Sequence, residues 1–76
     1  MNYDLAMMAL EGLTRSRLRL SVEGDRVTLH GDASAFKDFA RLCLLLGGAS
    51  TADEAFELQP GVHLSGESPA LHLRLE

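Results

Sequence analysis

The stretch RLRLSVEGDRVTLHG, residues 17–31, constrains this chain more than any other. Leu18, Leu20, Val22, Val27 and Leu29 fall on one side of it. Arg17, Arg19, Ser21, Glu23, Arg26, Thr28 and His30 fall on the other. Strict alternation of this kind marks strands with one face buried. Gly24-Asp25 sits at its middle, and a two-residue turn there needs positive φ, which glycine adopts at no steric cost. Folding about that turn places Glu23 opposite Arg26, Val22 opposite Val27 and Leu20 opposite Leu29. Register and hydrophobic face agree, whereas a slip of one residue would turn every leucine outward. The segment is predicted to be a β-hairpin with one buried and one solvated face.

Helical patterns flank it. In NYDLAMMALEGL, Leu5, Met8, Ala9 and Leu13 recur at helical spacing and Asn2 or Asp4 can cap the first turn, so a short helix is predicted over residues 3–12, ending near Gly12. GDASAFKDFARLCLLLGG, residues 31–48, is the main helix, capped by Asp32 or Ser34 and stopped by Gly47-Gly48. Its inner stripe reads as Phe36, Phe39, Ala40, Cys43 and Leu46, with Leu42 and Leu44 at the margins. Leu45 falls on the opposite side, among Lys37, Asp38 and Arg41. Three covers suit it: the N-terminal helix, a second copy of the chain, or a different protein.

ASTADEA, residues 49–55, is a polar connection with room for a helical turn. FELQPGVHLSGESPALHLRLE then reads as strand, turn, short strand, turn and strand, broken at Pro60-Gly61 and Ser68-Pro69. In the last strand Leu71, Leu73 and Leu75 point one way while His72, Arg74 and Glu76 point the other. The expectation is one α+β domain over residues 1–76, in order α-β-β-α-β-β. Its mainly antiparallel sheet of about four strands would carry the main helix on one face.

Composition narrows the function. At 76 residues the chain buries only roughly 60–65% of its unfolded surface, and a domain of this size needs a staple or a partner if its core is thin. A net charge of −4 argues against nucleic acid as partner, because phosphate binding needs a surplus of Lys and Arg. The charge is uneven: Arg15, Arg17, Arg19, Arg26, Lys37 and Arg41 lie early, whereas Asp53, Glu54, Glu57, Glu67 and Glu76 lie late. One cysteine, Cys43, forms no internal disulfide, which suits a reducing compartment. LAMMAL, residues 5–10, follows an acidic residue and is too short to span a bilayer. A cytoplasmic protein away from membranes is expected.

No motif specifies a chemistry. His30, His63 and His72 are too far apart in sequence for the close ligand pairs of zinc sites. Cys43, among leucines on the inner stripe, reads as a small core residue rather than a nucleophile. No glycine spacing cradles a phosphate. The expectation is therefore a protein without catalysis, metal or cofactor. The polar side of the sheet is more telling: Arg17, Arg19, His30, His72 and Arg74 would share one open face, and arginine is enriched at protein interfaces. That face and the Leu45 end of the main helix are the candidate partner-binding sites.

The segments VTLHGDASAFKDFARLCLLLGG and GVHLSGESPALHLRL resemble the bacterial immunity protein 32 family. The likeness runs over roughly residues 26–75, through Gly31-Asp32, Phe36 to Leu46, His63-Leu64 and Ser68-Pro69 to Leu73. It implies a cytoplasmic protein that neutralises a toxin domain by occlusion, without catalysis or cofactor. The acidic balance suits a basic toxin such as a nuclease. The alternative is a small homodimer with a structural or regulatory role, built through the leucine-rich helix or a sheet edge. A small-molecule-binding module ranks last, since the leucine-filled inner faces leave little room for a pocket.

Overall fold

A computed structural model of the chain describes residues 2–49 and 54–76. Two helices and four strands follow in the expected order: α1 (Tyr3–Arg15), β1 (Arg19–Glu23), β2 (Arg26–His30), α2 (Ala33–Gly47), β3 (Ala55–Leu58) and β4 (Leu71–Arg74). Within the connection 49–55, residues 50–53 and the helical turn expected there lie outside the described residues.

The first hairpin forms as its turn dictates. Gly24 has φ +60°, and Glu23↔Arg26, Val22↔Val27 and Leu20↔Leu29 are cross-strand partners. β4 pairs antiparallel with β3, Phe56 opposite Leu73 and Leu58 opposite Leu71, so its leucines share the core-facing side. The single four-stranded sheet does not form. Among the described residues there are two two-stranded sheets, β1–β2 and β3–β4.

The separation has a local cause. Val62 to Leu64 is a turn rather than a short strand: the amides of Val62, His63 and Leu64 all donate to the Gln59 carbonyl at 3.1 Å. That turn fastens the first hairpin. Leu18 N–H donates to the His63 carbonyl at 3.1 Å, and Ser65 N–H to the Leu18 carbonyl at 2.8 Å. Two residues on, Leu20 N–H donates to Ser68 Oγ at 3.0 Å. Residues 63–68 thus take the place of a strand along the outer edge of β1, satisfying buried backbone groups without extending the sheet.

The helices form one packed pair. α1 is capped by Asn2, whose Oδ1 accepts from Leu5 N–H at 3.2 Å, and it runs through Gly12 to Arg15 instead of stopping. Gly12 lies against α2: a Cβ there would meet the Asp38 carboxylate unless that side chain moved. The glycine costs the helix about 1 kcal/mol of propensity relative to alanine. The buried stripe of α1 is Ala6, Ala9 and Leu13, two of them small, whereas Leu5 and Met8 are exposed.

α2 is capped by Asp32, whose Oδ1 accepts from Ala35 N–H at 2.7 Å, and it closes where Gly48 N–H donates to the Leu44 carbonyl at 3.0 Å. Its buried residues are Ala35, Leu42 and Leu46, with Phe39 and Leu45 packed at their edge. The inner stripe read from sequence is therefore turned by roughly a quarter of the helix circumference at about 100° per residue. Phe36, Ala40 and Cys43 are exposed. α2 serves two neighbours at once, α1 and the leucines of the strands, so its buried arc lies between them rather than squarely on a sheet. Leu13, Leu18, Leu42, Leu58 and Leu64, each from a different segment, are the largest fully buried side chains. Each is worth about 1.5–3 kcal/mol of burial.

Candidate partner-binding surfaces

The candidate residues read from sequence are divided between the two sheets and α2. Arg17, Arg19 and His30 belong to the first hairpin and its approach, whereas His72 and Arg74 belong to β4 in the other sheet. Arg17 and Arg19 are exposed, and Arg19 is the register partner of His30. His30 is half-buried, and its Nε2 shares a hydrogen bond with Ser21 Oγ at 3.3 Å, which fixes the ring against the strand. His72 is exposed opposite Glu57, and Arg74 is exposed opposite Ala55. Leu45 is half-buried and packs against the core where α1 crosses α2.

The histidines are dispersed too. His63 sits in the turn that fastens β1, where its Nδ1 accepts from Gln59 N–H at 3.1 Å. Burial pushes its pKa below the ordinary histidine value. Among the described residues no three His, Cys, Asp or Glu side chains converge to hold a metal ion. Tyr3 Oη donates to Glu54 at 3.1 Å, and that bond, with the nearby carboxylate charge, raises the phenol pKa. No helix of the described chain is long and apolar enough to cross a membrane.

Two surfaces stand out. The first is the free end of the hairpin. Val22 and Val27 lie on the same face as Leu20 and Leu29, yet they are 58% and 64% exposed, because the core ends below them. Residues 63–68 close the outer edge of β1 only as far as Leu20, and no strand among the described residues pairs with the outer edge of β2. The opposite face of this hairpin carries Arg17, Arg19 and Arg26 against a single glutamate, Glu23.

The second is a groove of about 620 Å³ between the helices. Leu5 and Met8 of α1 face Leu44 and Leu45 of α2 at one end, and Arg15 faces Asp38 and Arg41 at the other. With Gly12 against Asp38 in between, the helices run in opposite directions. Asp38 is largely buried and Arg41 exposed, and the two form an ion pair at 2.7 Å. With Arg41 in solvent, an i,i+3 pair of this kind contributes little to stability, so its main consequence is to hold Arg41 at the rim. Met8 is 65% and Leu44 76% exposed. Sequence reading missed this groove because it grouped Leu5 and Met8 with Ala9 and Leu13 as one apolar pattern at helical spacing. The signal was there in Ala6, Ala9 and Gly12, whose small side chains mark the face where another helix comes close.

Compared with protein-family models, with curated proteins and with solved structures, the chain finds no match.

Proposed function

We propose that this protein is a non-catalytic protein-binding module of the immunity type, which neutralises a toxin domain by covering it with the first hairpin. The observation that carries the reading is the Val22–Val27 pair: two apolar side chains side by side and more than half exposed, at the end of a hairpin with an open edge. Such a pair is a small anchor of the kind that holds an interface once water is excluded around it. Arg17, Arg19 and Arg26 on the other face steer and orient the encounter.

The chemistry of the partner follows. The Debye length is about 8 Å at physiological ionic strength, so side chains at the contact, not the net charge of −4, set complementarity. The partner surface that fits presents an apolar spot to the valine pair and carboxylates to the arginine face. The likeness over residues 26–75 to immunity protein 32 sequences supplies the toxin as the class of partner. It enters at Arg26 and so takes in β2, half of this hairpin.

The test is a comparative capture from lysate of the source organism, with wild-type protein and an Arg19→Glu/Val22→Asp variant as baits. The expected result is one protein recovered stoichiometrically by the wild type and lost with the variant. Equal recovery by both baits, or no protein enriched by the wild type over the variant, overturns the reading.

A further inference from the structure

We infer that the groove between α1 and α2 is filled by α1 of a second copy of the chain, which makes the protein a two-fold homodimer. This surface shares no residue with the hairpin, so the inference stands apart from the proposed function.

The argument starts from side chains that the fold leaves over. Leu5, Met8 and Leu44 project around an open groove, and all three are about half or more exposed. In a chain this small, apolar side chains contiguous over two helices mark a contact site rather than scattered surface.

Charge selects the occupant. Arg41 at the polar end is paired with Asp38, whereas Arg15 makes no ion pair among the described residues. The groove therefore fits an amphipathic helix with aliphatic side chains and a carboxylate beside them. α1 is such a helix. Asp4 and Glu11 lie on the flank next to Met8, and neither is ion-paired among the described residues. At about 100° per residue Asp4, Arg15 and Met8 fall within about 40° of one another around the helix.

Two-fold symmetry turns that pattern into complementarity. When two copies of α1 pack antiparallel about a two-fold axis, each flank stays on its own side. With the axis level with residues 9 and 10, Asp4 of one protomer faces Arg15 of its partner, and the contact occurs twice. The two Met8 side chains come together near the axis, and the same seating covers Leu44 at the mouth of the groove. The result is a four-helix centre with the β-sheets outside.

The test is the mass in solution by sedimentation equilibrium, from micromolar to near-millimolar protein, with circular dichroism confirming that each variant is folded. The wild type is expected to approach twice its 8.2 kDa. Leu44→Glu and Met8→Glu each raise the dimer Kd at least about tenfold, since a charge replaces a buried anchor. Arg15→Asp raises it about fivefold by setting like charges face to face, and Asp4→Arg combined with Arg15→Asp recovers the affinity. The mass of one protomer at every concentration overturns the proposal and leaves the groove to a different protein. A dimer with the same Kd in all the variants overturns the placement, and failure of the charge swap to recover affinity overturns the two-fold pairing.

Discussion

β1–β2 and β3–β4 are similar in size and both antiparallel, but they are closed in different ways. Gly24-Asp25 joins the first pair directly, so its register is set locally. The second pair is joined by residues 59–70, and that long connection also fastens the first pair to the core: Leu64 packs beside Leu18, the backbones bond at 63–65, and Ser68 Oγ takes the Leu20 amide. A hairpin that forms by itself is thus not one that docks by itself, and an isolated two-stranded hairpin is only marginally stable in water. The contrast appears again within the first hairpin. Leu18 and Leu20, beside the fastening loop, are buried, whereas Val22 and Val27, beyond it, are not.

The dependence can be broken from the core side, from the loop side or by pH. The largest effect is expected at Leu18, which is completely buried between the two regions. Leu18→Ala should destabilise the protein by about 2–5 kcal/mol, a large share of the roughly 5–15 kcal/mol typical of small domains. Urea unfolding followed by circular dichroism measures this. Hydrogen exchange sharpens it: amides of β3–β4 should lose protection together with those of β1–β2, and a hairpin that opened alone would show the sheets to be independent.

Ser68→Ala comes next. It removes the acceptor of Leu20 N–H and leaves that buried donor unsatisfied, at a cost of about 1–3 kcal/mol. Faster exchange should be centred on Leu20, with the Gly24-Asp25 turn unaffected.

The smallest effect belongs to His63. Burial holds its folded pKa below the ordinary value of about 6.5, and the neutral ring is the form whose Nδ1 accepts from Gln59. Between the two pKa values the unfolded chain binds more protons, so stability rises with pH there. Its contribution is therefore complete above about pH 6.5 and is lost as pH falls towards the depressed folded value. The urea midpoint should decline over that window in the wild type and stay flatter in His63→Gln.

Sequence alone resolved what is local. Gly24-Asp25 fixed the register of β1–β2, the alternation from Leu71 to Leu75 gave the core face of β4, and of the cap pairs Asn2 or Asp4 and Asp32 or Ser34 the first of each caps its helix. Features that depend on a distant neighbour were misplaced. Gly12 looked like a helix stop because its reason, the Asp38 carboxylate, lies on another element. The buried arc of α2 was turned because α1 shares that helix with the strands. Val62 to Leu64 alternated like a strand, yet its amides converge on Gln59. The candidate surfaces followed the same rule. Leu45 was recognised as needing a cover, and α1 supplies part of it, but the groove beside it appears only when Leu5 and Met8 are known to face outward.

The loop that fastens β1 also fixes an order of events during synthesis. Leu20 and Ser68 are 48 positions apart, and Tyr3 and Glu54, another pair that ties distant segments, are 51 apart. A hairpin closes in about 1–10 μs, whereas about 2–10 s of translation at 5–20 residues per second separates Leu20 from Ser68. For that interval the hairpin exists with its leucines uncovered and both its edges open, a template for unwanted strand pairing. Arg17, Arg19 and Arg26, spaced along it, are placed to act as gatekeepers that keep the nascent hairpin from pairing with its neighbours on a polysome.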